Sequence, residues 1–300
     1  MRTVDRQDEI RAILDAERAA GRRVAMIGTS GGTHEGHLSL VRRAREECDV
    51  VAVFWNGALK LEWADGGVQS YTRDMQRDAA LAESAGVDLF YVPLRQDLYA
   101  RPPVTSLRMP ELVSHLEGMP EGMHMELLAT MVATELNIAG PCTTYFGEKD
   151  WPQLVAFQRM AEDLRLPSRV VGCPTFREPD GLAMSSRNAR LSAEERAAAP
   201  ALFRALTAGA DAVRGGERDA RAVTDLVTAQ LDPVCRPDYV VAVEADTLRP
   251  LATLAGEVRL LASATFGSTP LVDNVGVRVP AEPGTAGGRP AGAVRTEVPA

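Results

Sequence analysis

Along the first third of the chain, apolar runs of strand length alternate with segments of helical periodicity. Residues 5–20 set Ile10, Ile13 and Leu14 among charged neighbours, a spacing that predicts an amphipathic helix. "RVAMIG" then reads as a short buried strand ending at glycine. "HLSLVRRAREEC" reads as a helix with Leu38, Leu40 and Val41 inward, and "DVVAVFW" as a second buried strand. "YTRDMQRDAALAESAG" predicts a helix closed by Gly86, and "VDLFYVP" a third strand. Strand and helix in strict alternation predict a parallel sheet with crossover helices, an α/β fold. Open sheets of this kind bind ligands at the carboxyl ends of their strands. The stretch "GTSGGTHEGH" falls at such an end.

Further on, "MELLATMVATELNIA" predicts a helix, "PCTTYFGEKD" a strand and loop, "WPQLVAFQRMAEDL" a helix and "RVVGCPTF" a strand. "REPDGLAMSSRNARLS" is polar and glycine-bearing and reads as a loop. The texture then changes. One helix is expected over "AEERAAAPALFRALTAGADAVRGG" and another over "RAVTDLVTAQLD", followed by strands at "DYVVAVEA" and "EVRLLASATF". These features predict a main α/β domain over 1–175 and a smaller α+β domain over 176–279. The Pro-, Gly- and Ala-rich tail, 280–300, has little to bury and is expected to be disordered. No internal repeat is evident.

Composition narrows the class. The chain has 300 residues, 45% of them hydrophobic, long enough for one large or two ordinary cores. Its formal net charge of -8 argues against a nucleic-acid partner. No apolar run approaches the length of a membrane span, and the N-terminus lacks the apolar region of a signal peptide. Cys48, Cys142, Cys173 and Cys235 are scattered without a C-x-x-C pair, so reduced thiols in a cytoplasmic protein are expected, with no metal site.

Three stretches carry candidate chemistry. His34 and His37, half of the four histidines, stand at the start of a helix after a small-residue turn. Helix N-termini favour anions, and imidazoles at i and i+3 face the same way, so the pair could grip a phosphate. Two surface histidines or a partial metal site are the plainer readings of the same spacing. Lys149, in "FGEKD", follows a strand and could meet phosphate as a point charge, or be an ordinary solvated lysine. "GLAMSSRN" gathers Met184, Ser185, Ser186, Arg187 and Asn188 in one loop, suited to a polyphosphate or to a hinge.

Taken together, these stretches resemble the class I nucleotidyl-transferase scheme, a Rossmann-like fold with an H-x-G-H motif. Within it, "GTHEGHLSLVRRA", "FGEKDWPQLV", "VVGCPTFREPDGLAMSSRNARLSAEER", "DYVVAVEADTLRPL" and "LVDN" resemble the pantothenate synthetase (pantoate–β-alanine ligase) family over roughly residues 5–278. The resemblance implies an AMP-forming carboxylate–amine ligase that works through an acyl adenylate, with ATP and Mg²⁺ as cofactors and a homodimeric assembly. By motif, it places His34, His37, Lys149, Ser185, Ser186 and Arg187 in catalysis on the ATP phosphates. It places Thr29, Gly36, Gly147, Asp150 and Met184 around the nucleotide, and Gln153 on the acid.

The departures from the family pattern lie on the acid side. Ser30 stands where the family has a methionine, in "GTSG". In "WNGALKL", Asn56 is kept but Leu59 stands where a glutamine is expected. In "EGMHMEL", His124 is kept while Glu121 replaces an arginine. An apolar side chain in place of a double hydrogen-bonder disfavours a polyhydroxy acid. The expectation is therefore a small carboxylic acid or a small amine other than pantoate and β-alanine. The alternatives are a member that uses pantoate and β-alanine themselves, a nucleotidyltransferase, or a non-catalytic nucleotide-binding module.

Overall fold

The computed structural model describes residues 1–58, 74–94, 104–116 and 119–280. It contains a parallel sheet of β1 (Arg2–Val4), β2 (Val24–Thr29), β3 (Val50–Trp55), β4 (Leu89–Tyr91), β5 (Cys142–Gly147) and β6 (Ser168–Cys173). Their order across the sheet is β1-β4-β3-β2-β5-β6. The crossovers include α1 (Gln7–Ala19), α2 (Glu35–Glu47), α3 (Met75–Ser84), a short α4 (Pro110–Ser114), α5 (Pro120–Ala139) and α6 (Trp151–Asp163). Strand order reverses between β2 and β5, so the loops that leave these two strands diverge and open a crevice at their carboxyl ends.

The sheet is covered on both faces, and alternation along each strand divides its side chains between two cores. Met26, Phe54 and Tyr91 pack with Ile10, Leu14, Leu136 and Phe157 on one face. Ile27, Val53 and Phe90 pack with Val41, Ala44 and Tyr145 on the other.

The remaining elements are α7 (Ala193–Ala198), α8 (Ala201–Arg214) and α9 (Ala220–Leu231), then β7 (Arg236–Glu244), β8 (Gly256–Phe266) and β9 (Thr269–Val279). The three strands form an antiparallel sheet in the order β7-β8-β9, and its core joins Leu202, Leu206, Val223 and Val227 to Leu260 and Phe266.

Four features depart from the elements expected from sequence. The long helix over 193–216 is two helices, α7 and α8, broken at Pro200, which lacks an N–H and cannot sit inside a helix without a clash. Strand β1 is too short to show periodicity. Helix α4 is likewise a single short turn of helix. Strand β9 is interrupted in sequence by Pro270, Asp273, Asn274 and Gly276, residues that weaken a strand signal. The expected disorder of the tail concerns residues that, but for 280, lie outside the described residues.

One of those β9 residues, Asn274, joins the small sheet to the large one. Asn274 Nδ2 donates to the carbonyls of Glu148 and Lys149, each at 2.8 Å, and its Oδ1 accepts from Arg259 Nε at 2.7 Å. Arg259 in turn donates to Glu148 Oε2 at 2.9 Å and lies 3.5 Å from the centre of the Trp151 ring. The β5–α6 turn is thereby held from the side of the small sheet. Asn274→Ala is expected to lower the unfolding free energy by about 1–3 kcal/mol, because it strands buried partners at the joint. Urea unfolding checks it; an unchanged midpoint would show that the joint carries no stability.

Candidate functional site

Strand β2 ends at Thr29, and its chain turns through Gly31 and Gly32, both in the left-handed region at φ 89° and 68°. Side chains with a Cβ rarely adopt that conformation, which accounts for the small-residue run. The turn is fastened by Asp78 of α3, whose side chain is 1% exposed. Its carboxylate accepts from Gly32 N–H at 2.9 Å, Thr33 N–H at 2.8 Å and Trp55 Nε1–H at 2.9 Å. Arg77 adds a bond to the Thr33 carbonyl at 3.2 Å. Sequence reading missed Asp78, which looks like any acidic residue on an amphipathic helix.

The fastened turn delivers the chain to His34, the N-cap of α2. The His34 N–H donates to His37 Nδ1 at 3.4 Å, and the ring centroids are 4.1 Å apart. A Cβ on Gly36 would lie 2.9 Å from the His34 ring, so the glycine of H-x-G-H makes room for that imidazole. Burial holds both imidazoles below the usual histidine range. His34 falls to about 4, with Lys149 and Arg77 pushing the same way, and His37 to about 3, with His34 as the next cause. Both are therefore neutral near pH 7. With Nδ1 accepting, neutral His37 carries its proton on Nε2 and remains a donor. His34 Nδ1 is buried without a partner.

Cations come from other elements. Lys149 sits in the turn after β5 and pairs with Asp150 at 3.2 Å. The loop from Arg177 to Asn188 folds back along the cleft. Arg177 pairs with Asp273 at 2.6 and 3.0 Å and stacks 3.6 Å from the Phe203 ring centre. Asn188 Nδ2 donates to Glu178 and to the Ala183 carbonyl, both at 3.1 Å. Ser185 Oγ caps the following turn by accepting from Arg187 N–H at 3.2 Å.

These parts enclose a cleft of about 370 Å³ over the β2/β5 switch point. It is lined by Thr29, Ser30, His34, Gly36, His37, Asn56, Gly147, Lys149, Asp150, Gln153, Met184, Ser185, Ser186 and Arg187, all expected from sequence. Three candidates remain. Leu59 lies outside the described residues. His124 does not line the cleft. Glu121 belongs to the first turn of α5, about 21 Å along the axis from Glu135, and its side chain lies outside the described residues.

Sequence reading also missed the face that α5 turns to the cleft: Leu128, Met131, Val132 and Glu135, an i, i+3, i+4, i+7 stripe. Glu135 is 4% exposed and accepts from Asn56 Nδ2. Burial pushes its carboxyl up to about 8, so it is mostly protonated at neutral pH. The spacing was legible as a stripe, but a glutamate at its end reads as the helix's polar side.

A doubly wound parallel sheet with groups suited to phosphate gathered at its switch point fits an α/β nucleotide-binding enzyme. A family model described as pantoate-beta-alanine ligase matches residues 2–276. The chain is 69% identical over 289 residues to pantothenate synthetase 1 of Frankia alni, covering 93% of this chain and 99% of that protein. It is 46% identical over 280 residues to pantothenate synthetase 2 of the same organism, covering 93% and 85%. A crystal structure of pantothenate synthetase from Thermus thermophilus superposes with a TM-score of 0.83 at 37% identity, covering 92% and 99%. The chain belongs to the pantoate–β-alanine ligase family. It is an ATP-dependent ligase that forms an amide bond, releases AMP and pyrophosphate, and uses Mg²⁺.

The raised Glu135 carboxyl makes stability depend on pH. The unfolded chain ionises this group near the ordinary glutamate value of 4.5, whereas the folded chain keeps its proton until about 8. Its contribution is complete below the lower value and is lost as pH rises through the higher one, by about 1.4 kcal/mol per pH unit in between. Glu135→Gln removes this term. Its melting temperature relative to the parent is expected to climb from pH 5 to about pH 8 and then level off. Parallel melting curves across that range would contradict a buried neutral acid.

Proposed function

We propose that this enzyme is a pantothenate synthetase: pantoate and β-alanine are the acid and amine that it joins. The observation that carries the reading is the cleft, which is cationic and donor-rich around the H-x-G-H turn and yet not apolar at its other end. The expectation of a different acid rested on Leu59 in place of a glutamine. Asn56, kept in the sequence, is joined in the cleft by Glu135, a hydrogen-bonding group that the sequence reading did not count. The 69% identity to a protein named pantothenate synthetase 1, over 93% of the chain, also favours pantoate over another acid.

In this reading the pantoate carboxylate attacks the α-phosphorus of ATP, and pyrophosphate departs. The β-alanine nitrogen then attacks the acyl carbon, loses a proton and displaces AMP. Neutral His34 and His37 donate hydrogen bonds to the phosphates as negative charge shifts toward the leaving group, and being uncharged they do so without titrating near pH 7. Lys149, Ser185, Ser186 and Arg187 hold the departing pyrophosphate, the lysine as a point charge and the arginine as a fork. Thr29, Gly36, Gly147, Asp150 and Met184 surround the nucleotide, and Ser30, Asn56 and Gln153 the acid.

The donor set fits an ATP–Mg²⁺ complex. His34 Nδ1 lacks a partner, and the space beside Gly147 is open where a Cβ would stand. Among the described residues no group of three or more His, Cys, Asp or Glu could hold an ion. Mg²⁺ would neutralise part of the charge of the phosphates that these donors hold. The reading extends to division of the chain near residue 176, a homodimer, and a cytoplasmic location. Among the described residues, no helix is long and apolar enough to cross a membrane.

Purified enzyme given ATP, Mg²⁺, pantoate and β-alanine is expected to yield pantothenate and AMP in equal amounts, read by mass spectrometry. Absence of pantothenate, with amide formed from another acid, would refute the reading. The His34→Ala/His37→Ala double variant is expected to lose at least about 100-fold in kcat, as when oxyanion-type donors are removed. Full activity in that variant would remove both imidazoles from catalysis.

A further inference from the structure

Helix α5 faces the cleft with three apolar side chains, Leu128, Met131 and Val132, and then, one turn on, with Glu135. A leucine at that place would bury without cost, whereas a carboxyl must be desolvated. The surroundings nonetheless accommodate it. Residue 28 is a glycine, and a Cβ there would stand 2.9 Å from Glu135 Oε2, so a side chain at that position would crowd the carboxyl. Asn56, in the turn after β3, donates its amide to Glu135 Oε1. No cation pairs with Glu135 among the described residues, and Asn56 Oδ1 is buried with no partner. Three elements thus hold one polar pair against the cleft, with hydrogen-bonding capacity that the protein itself leaves unused. Buried polar groups in that condition need an explanation, and a ligand is one.

We propose that Glu135, together with Asn56, binds a hydroxyl group of the acid substrate and sets the preference for hydroxylated over plain carboxylic acids. This rests on the acid being a hydroxy acid, as the proposed function has it. A hydroxyl both donates and accepts, and the pair answers both needs: the Glu135 O–H donates to it, and Asn56 Oδ1 accepts from it. Because burial keeps Glu135 protonated, it does not repel the substrate's own carboxylate. Leu128, Met131 and Val132 suit the branched hydrocarbon part of the same molecule. Glu135 is thus a specificity residue, bifunctional as a glutamine is, and it offsets the leucine at position 59.

The test compares pyrophosphate release with pantoate and with the same branched acid lacking both hydroxyls, in wild type, Glu135→Leu and Glu135→Gln. ATP is saturating, and KM for ATP and the melting temperature are recorded for each variant. Wild type is expected to favour pantoate by at least about 100-fold in kcat/KM. Glu135→Leu is expected to bring that ratio below about tenfold by losing rate with pantoate only, with KM for ATP within about twofold. Glu135→Gln, which keeps a donor and an acceptor, is expected to retain most of the preference at a reduced rate. Equal losses with both acids, or an unchanged preference in Glu135→Leu, would overturn the proposal. Should Glu135→Leu fail to fold, Asn56→Ala must show the same selective loss, and an equal loss with both acids again overturns it. Wild type inactive with pantoate defeats the proposed function separately. The comparison then moves to whichever acid it adenylates, and a wild type that prefers an acid without hydroxyls overturns the role of Glu135 as well.

Discussion

The site depends first on one buried carboxylate. Asp78 receives two backbone amides of the turn after β2 and the indole N–H at the end of β3. Two glycines in left-handed conformation gain nothing from side-chain packing, so without that anchor the turn has little to fix it. With it, the turn enters α2 at a set angle, and His34 and His37 emerge stacked on each other over the switch point. Removing a partner from such a buried cluster costs more than the cluster's net contribution, because each stranded donor keeps its desolvation penalty. The anchor lies on α3 and the imidazoles on α2, so the catalytic geometry is a property of the packed sheet rather than of the motif.

A second joint works from the opposite side. The β5–α6 turn carries Lys149, and its carbonyls are held by Asn274 of the antiparallel sheet. Arg259, against Trp151 and Glu148, stiffens the same contact. Positive charge and neutral donors are therefore supplied by different parts of the molecule. The imidazoles, desolvated against the large sheet, are uncharged, while Lys149 and Arg187 lie nearer the joint. In the proposed function, such a division would let the cations balance the polyphosphate while the imidazoles act on charge that appears only as the bond breaks.

Much of this architecture was legible in the chain. The alternation of short apolar runs with i, i+3, i+4 segments marked the parallel sheet, and the small-residue turn before His34 marked its functional end. What stayed hidden followed from tertiary contacts. Strand β9 carries Asn274, which serves the joint, and Asp273, which pairs with Arg177, and the two erase the local strand signal. Pro200 divides a segment that is otherwise continuously helical in pattern. Asp78 and Glu135 are both acidic residues on amphipathic helices, where solvent exposure is the ordinary expectation. Only the packing of α3 against the turn and of α5 against Gly28 shows that each faces inward. The reading of the acid pocket as apolar took no account of such a group. It compared position 59 with a family pattern and could not see that a carboxyl from another helix reaches the cleft.

The central claim is that this cleft activates a carboxylate on ATP before any amine is involved. Isotope exchange between labelled pyrophosphate and ATP tests it most directly, with Mg²⁺ and pantoate present and every amine left out. The account predicts label in ATP that depends on pantoate, since formation of the acyl adenylate reverses at the site. Exchange that appears only after β-alanine is added, or that runs equally well without an acid, would contradict it.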